Sequence, residues 1–221
     1  AGGTDGVISH AGFEIALLTS IAGDVARAPA EQVNEAFIDD GASAARILTG
    51  GGMDVVVDHG GTLTVVYDSF KLSGTDLIVG FDRGNDQVSL EDNIAAALDD
   101  DASGSIQWQS TGAGRLLVAD ATEGVFASTG IPIVIGTHAD MRNTVDTLNG
   151  ALDVSSTGLG DDLLILAHNG SSSAVMFLYT NRDDNGQVDV AELTALAVFG
   201  DGSPGPDDIV LVGIQAAPPE A

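Results

Sequence analysis

Cysteine is absent from the chain, and lysine occurs once, at Lys71. The first absence excludes disulfides and thiolate metal sites. The second leaves no glycine-rich phosphate loop with its lysine, because Lys71 stands outside any such context. Only 7 basic residues face 33 acidic ones, for a formal net charge of −26, so nucleic acid and anionic membranes are poor partners for this surface and are not expected. One tryptophan, Trp108, and two tyrosines, Tyr67 and Tyr179, are too few and too scattered for an aromatic ligand platform, and core packing accounts for them. No apolar run approaches the roughly eighteen residues of a membrane helix, so membrane insertion is not expected. No secretory signal is visible, and a chain that begins at Ala1 is expected to be a piece or a processed product of a longer one.

Catalytic signatures are missing too. His10, His59, His138 and His168 do not fall at zinc spacing, and no HExxH is present. Gly170 to Ser173 lacks the second glycine of a nucleophile elbow and reads as a flexible turn. Carboxylates are too abundant for any pair to be singled out as acid and base. A non-enzymatic protein is expected.

What the chain does have is 221 residues that are 44% hydrophobic, enough for a real core. Its 33 carboxylates repel one another and oppose compaction unless cations screen or bind them. Calcium or high salt should therefore favour folding, with bound metal taking the part that disulfides play elsewhere.

The most informative stretch is Asn181 to Glu192. Oxygen-bearing side chains stand at its first, third, fifth and ninth places (Asn181, Asp183, Asn185, Asp189), with Gly186 at the sixth, Val188 at the eighth and Glu192 at the twelfth. A hard divalent cation takes six to eight oxygens, a glycine lets the backbone turn beneath it, and a final glutamate can close the shell with both oxygens. Asn181, Asp183, Asn185 and Glu192 are the expected side-chain ligands, Gln187 offers its carbonyl, and Asp189 acts directly or through water. The competing account is an acidic, solvated turn that caps the following helix, with Asp189 and Glu192 at the positive end of its dipole. Asp5 to Ser9 imitates the middle of such a loop but has Gly12 at the closing place.

Two short patterns recur in order. Thr49 to Val57 reads Thr-Gly-x-Gly-x-Asp-x-Val-x, and Thr157 to Ile165 reads Thr-Gly-x-Gly-x-Asp-x-Leu-x, with Asp54 and Asp162 at the same place. Gly84, Asp86, Val88 and Leu90 share their spacing with Gly205, Asp207, Ile209 and Leu211. Duplication with insertion of the calcium loop is the simplest explanation.

Along the chain, Phe13 to Ala22 and the stretch from Pro29 through Phe37 show three- and four-residue apolar spacing and predict two packing helices. Met53 to Asp58 and Thr62 to Phe70 predict a hairpin across His59-Gly60-Gly61. Extended pieces follow at 76–81 and 86–90, a hairpin at 105–119, strand at Phe126 and Ile131 to Ile135, and a short helix at 141–148. Leu163 to Ala167 and Ser173 to Thr180 predict another hairpin, turned at Asn169-Gly170. An apolar helix is expected over Val190 to Phe199 and a last strand over Ile209 to Val212. The expected segments are 1–46 (helical), 47–110 (first β-rich repeat), 111–156 (connecting hairpin and strand) and 157–221 (second β-rich repeat with the loop), folded together as one domain. The fold class is β-rich α+β: antiparallel hairpins in two related halves, an N-terminal helical pair, and a helix after the loop.

Residues 181–192 resemble the calcium loop of the EF-hand family, with a strand rather than a helix on the entering side. The motifs at 49–57 and 157–165 resemble the calcium-binding nonapeptide of RTX proteins, which implies Asp54 and Asp162 as further candidate ligands, and residues 76–90 are similar to the segment that commonly follows such repeats in proteins exported by type I secretion. The nonapeptides do not run consecutively, as the stacked turns of a β-roll require. The resemblance implies a calcium-stabilised extracellular or cell-surface module of the surface-layer or adhesin kind, with calcium ions as ligands and self-association or cell-surface components as partners. An ancillary domain of a secreted hydrolase, or a halophilic acidic domain without specific ions, are the alternatives.

Overall fold

A computed structural model describes residues 4–10, 13–18, 24–27, 34–39, 44–68, 75–98, 107–110, 116–120, 145–146, 148–150, 154–155, 157–168, 174–183 and 185–212. The chain winds back and forth between two sheets. Strands β1 (Thr4–His10), β2 (Phe13–Leu18), β4 (Asn34–Asp39), β6 (Val55–Val57) and β8 (Asp76–Val79) belong to one sheet. The alternating β3 (Asp24–Arg27), β5 (Ala44–Leu48), β7 (Thr62–Tyr67) and β9 (Gln87–Glu91) belong to the other. From β2 onward neighbours are parallel: Phe13 lies beside Asn34, Ala36 beside Val55, and Val55 beside Leu77. The second sheet keeps step, with Ala44 beside Thr62 and Thr64 beside Gln87. The result is a two-sheet parallel β-roll in which each coil adds one strand to each face.

This architecture corrects the expectation of antiparallel hairpins in two halves. The strands at 55–57 and 62–67 do not pair with each other, because the turn at His59 to Gly61 carries the chain from one sheet to the other. The N-terminal helical pair is likewise replaced by β1 to β4. Phe13, Ile15 and Leu17 satisfy a two-residue period as well as a helical one, and a short apolar run cannot decide between them. Pairing along the whole of β2 with β4 supplies main-chain hydrogen bonds to a neighbouring coil, which outweighs local propensity.

After β9 the roll is interrupted. Helix α1 (Asp92–Leu98) buries Ile94, Ala95 and Leu98. An antiparallel meander follows, made of β10 (Gln107–Ser110), β11 (Leu116–Asp120), β12 (Asp162–His168), β13 (Ala174–Thr180) and β14 (Leu193–Asp201). The hairpins expected near 105–119 and at 163–180 are these pairs. Residues 145–146 and 148–150 are helical, overlapping the helix expected over 141–148 and running two residues past it, while Phe126 and 131–135 lie outside the described residues. Strand β14 then returns to the roll: it pairs antiparallel with β13 on one side and parallel with β8 on the other. Strand β15 (Ile209–Val212) completes the coil beside β9, with Ile209 next to Val88.

The helix expected over 190–199 is thus a strand after a single 3-10 turn at Val190–Glu192. Its alanines and leucines favour a helix locally, but both edges of the segment find strand partners. A bulge opposite Met176 and Phe177 inserts Leu196 and reverses the alternation. Leu193 and Ala195 face a core with Phe177 and Tyr179, whereas Ala197 and Phe199 face the core of the roll. Phe199 there meets Phe81 edge-on, ring centroids 5.4 Å apart. Strand β13 is buried on both faces, Met176 and Leu178 toward the roll and Val175, Phe177 and Tyr179 away from it.

The supposed duplication also separates. Thr49 to Val57 forms a turn and the three-residue strand β6 of the roll, but Thr157 to Ile165 enters the antiparallel β12. Only the later pair is structurally equivalent, as adjacent rungs β9 and β15.

Candidate metal centre

The loop at 181–192 joins β13 to β14, so it is flanked by strands on both sides. Gly186 takes a positive φ of 73°, as the sharp turn requires. The carboxylates of Asp183, Asp189 and Glu192 offer one oxygen each within 4.8 Å of one another. Asp183 and Asp189 are exposed, and Glu192 is buried. The Glu192 carboxylate accepts Arg182 N–H at 2.7 Å and Asp189 N–H at 3.1 Å, which draws the two ends of the loop together.

Asn185 lies between the other two acids. Its Nδ2 donates to Asp183 at 2.9 Å and to Asp189 at 3.1 Å, while its Oδ1 accepts Gln187 N–H at 2.7 Å. The amide here supplies partial positive charge where an ion would supply a full one. Ligation by Asn185 requires the amide to turn its oxygen inward. Asn181 is placed differently: it is buried, and its Nδ2 donates to the Thr157 carbonyl at 2.7 Å. Its main chain also receives Gly160 N–H at 2.7 Å and donates to Asp161 O at 3.0 Å, so it moors the loop to the second nonapeptide turn. The structure groups three of the sequence-derived candidates, brackets them with Asn185, and leaves Asn181 in an anchoring position.

An anchor that the sequence did not signal is Asn149. Its Oδ1 accepts Val188 N–H at 2.6 Å and its Nδ2 donates to Val188 O at 2.8 Å, as a paired strand would. Val188 itself is fully buried among Leu148, Val154 and Tyr179. Asn149→Ala leaves two buried main-chain groups without partners, and stability should fall by about 2 kcal/mol or more. Urea denaturation measures this, and an unchanged midpoint would contradict the clamp.

Asp162 lies at the start of β12, hydrogen-bonded by Thr180 Oγ1, with its carboxyl raised above the ordinary range by burial. Asp54 is buried in the turn before β6, where its N–H donates to Asp76 Oδ1 at 3.0 Å and its carbonyl accepts Leu77 N–H at 2.7 Å. Neither belongs to the Asp183 group.

The roll's own turns carry acids that sequence patterns marked only in part. Asp86 accepts Leu63 N–H at 2.8 Å from the preceding coil and Asp82 N–H at 2.6 Å from its own turn. One coil on, Asp208 accepts Gly84 N–H at 2.9 Å and Gly205 N–H at 2.7 Å. Each carboxylate ties successive coils through backbone amides. The spacing had matched Asp86 with Asp207, but Asp207 is exposed and its neighbour Asp208 performs the tie. Burial raises the carboxyl of Asp86, takes that of Asp76 to about 6, and, with the Asp86 charge nearby, takes that of Asp58 to about 7.

Among the described residues no helix is long and apolar enough to cross a membrane. Tyr67 and Tyr179 are core residues, as expected, and His59 is exposed on its turn. The class of protein that fold and site define is a two-sheet parallel β-roll, interrupted by an antiparallel meander that carries an oxygen-rich loop. Comparison with protein-family models, curated proteins and solved structures finds no match to the chain.

Proposed function

We propose that the chain is a calcium-stabilised, non-catalytic extracellular module of an RTX-like, type I secreted surface protein of the surface-layer or adhesin kind. The observation that carries this reading is the convergence of Asp183, Asp189 and Glu192 on a glycine-turned loop whose eighth residue is clamped into the core. All-oxygen donors suit a hard cation, and a site already folded to shape binds the native chain in preference to the unfolded one. The parallel roll adds support, since the nonapeptide at 49–57 forms a turn followed by a strand of three residues, as the repeat does in calcium rolls.

The mechanism is linkage. Calcium stabilises the native state in proportion to the logarithm of its excess over Kd, about 3–4 kcal/mol at a hundred to a thousand times Kd. In a chain of this size that corresponds to a rise of roughly 10 °C in Tm. A highly acidic chain would stay loosely folded where calcium is scarce and become compact where it is abundant.

Calorimetry at fixed ionic strength tests this with calcium against a chelator. Asp183→Asn and Glu192→Gln are expected to weaken calcium binding at least about tenfold by removing ligand charge. The chelated Glu192→Gln protein should itself melt lower, because the amide accepts one of two backbone N–H groups fewer. The quantity to compare is therefore the rise caused by calcium. An equal rise in parent and both variants would overturn the ligand assignment, and a Tm that follows ionic strength alone would favour a halophilic domain without specific ions.

A further inference from the structure

We infer that the edge of the roll holds a second cation site, built on the stacked carboxylates of Asp39 and Asp58. Asp39 ends β4, and Asp58 directly follows β6. Ile38 lies beside Val57 in the parallel ladder, so the two acids occupy the same place on adjacent coils. Asp39 is 0% and Asp58 6% exposed. Both oxygens of both carboxylates are shut off from solvent and make no hydrogen bond of ordinary geometry among the described residues; the one backbone donor near them is the Gly60 N–H beside Asp58.

The contrast with the other acids of the roll makes the case. Asp86, Asp208 and Asp76 are buried too, but each accepts backbone N–H groups. Arginine ion pairs in the described residues engage Glu91 and Asp208. At Asp39 and Asp58 the carboxylates approach each other instead, and Asp86 adds a third negative charge nearby. Two buried anions with no well-placed donor are untenable unless something positive lies between them. A shared proton would give one donor for four oxygens. A divalent cation of the calcium class uses both carboxylates at once and completes its shell with main-chain carbonyls or water. Such an ion would tie the coil of β4 to that of β6, as Asp86 and Asp208 tie later coils through amides.

This site shares no residue with the 181–192 loop and stands or falls separately. Bound calcium per chain is counted by equilibrium dialysis on the whole protein after chelator treatment. The parent is expected to bind at least two ions, Asp39→Asn/Asp58→Asn one fewer, and Glu192→Gln one fewer through a different site. The asparagines can hydrogen-bond to each other and remove two buried charges, so the double variant should melt higher than the parent in chelator yet gain less from calcium. Unchanged calcium stoichiometry in the double variant overturns the inference, as does a lower melting temperature in chelator with the full calcium gain. Should the double variant not fold, Glu192→Gln decides alone: the pair is intact there, so a variant that binds no calcium overturns the second site. Loss of an ion in the double variant but none in Glu192→Gln would support this site and refute the loop.

Discussion

Replacing Gly80 with alanine is expected to lower stability by about 3–5 kcal/mol, among the largest effects of any single substitution in this chain. Gly80 follows β8 at a φ of +89°, where an L side chain is strained. A Cβ there would lie well under 3.0 Å from the carbonyl oxygen of Asp58, a backbone atom that cannot move aside as a side chain end could. The same contact recurs one coil on: Gly202 has a φ of +83°, and a Cβ would meet the Phe81 carbonyl oxygen. Along this edge the backbones of successive coils approach too closely for any side chain, since Asp58 N–H donates to Val79 O at 2.8 Å and Gly80 N–H to Asp201 O at 3.0 Å. Gly60 and Gly84 also have positive φ but open space around them, so alanine there should carry only the conformational cost of about 1 kcal/mol. Thermal melts of the four variants give the ranking. A Gly80→Ala protein as stable as Gly84→Ala would refute the close stacking of coils.

The second large effect is an inverted pH profile. In chelator the protein is expected to be more stable near pH 5 than near pH 7.5, the reverse of ordinary acid destabilisation. Asp76 is raised to about 6 and Asp58 to about 7, in both cases chiefly by burial, against an unfolded value near 3.8. Asp86 is raised as well. An acid whose folded pKa lies above its unfolded one binds protons more tightly in the native state. Its contribution is therefore complete below about pH 4 and is lost as pH rises through about 6 to 7. For Asp76, buried and shifted by roughly two units, the change amounts to ~3 kcal/mol at most. Relief of repulsion among the 33 acidic residues acts in the same direction. Melting at fixed ionic strength across that range is the measurement. A Tm that rises steadily from pH 5 to pH 7.5 would show that these carboxylates are ionised at little cost in the folded protein.

Both predictions depend on the coil-to-coil edges of the roll, the part of the molecule least evident in the chain. The hairpin of β12 and β13 was legible because each strand is a long apolar run beside a strong turn signal. Strand β15 was legible from Ile209 to Val212 for similar reasons. The oxygen-rich loop was legible because its oxygen-bearing side chains, its glycine and its last glutamate stand at the fixed places that surrounding an ion would require. Val190 to Phe199 was not, since its composition suits a helix and only pairing with β13 and β8 makes it a strand. Nor was the parallel pairing of β6 and β7 with their neighbours. A turn such as His59 to Gly61 can reverse the chain within one sheet or carry it into another, and local residues do not say which.

By itself, then, the sequence determined the excess of carboxylates, the absence of thiolate donors, and the position of the oxygen-rich loop from 181 to 192. Those follow from residue type and spacing, which act locally. The tertiary structure decided that the strands stack as a roll, that Asn149 clamps Val188, that Asp208 rather than Asp207 ties the last coil, and that Asp39 and Asp58 face each other out of water. Each of these joins residues from different coils or distant segments. Their energies depend on burial and register, which the chain acquires only when its coils are packed.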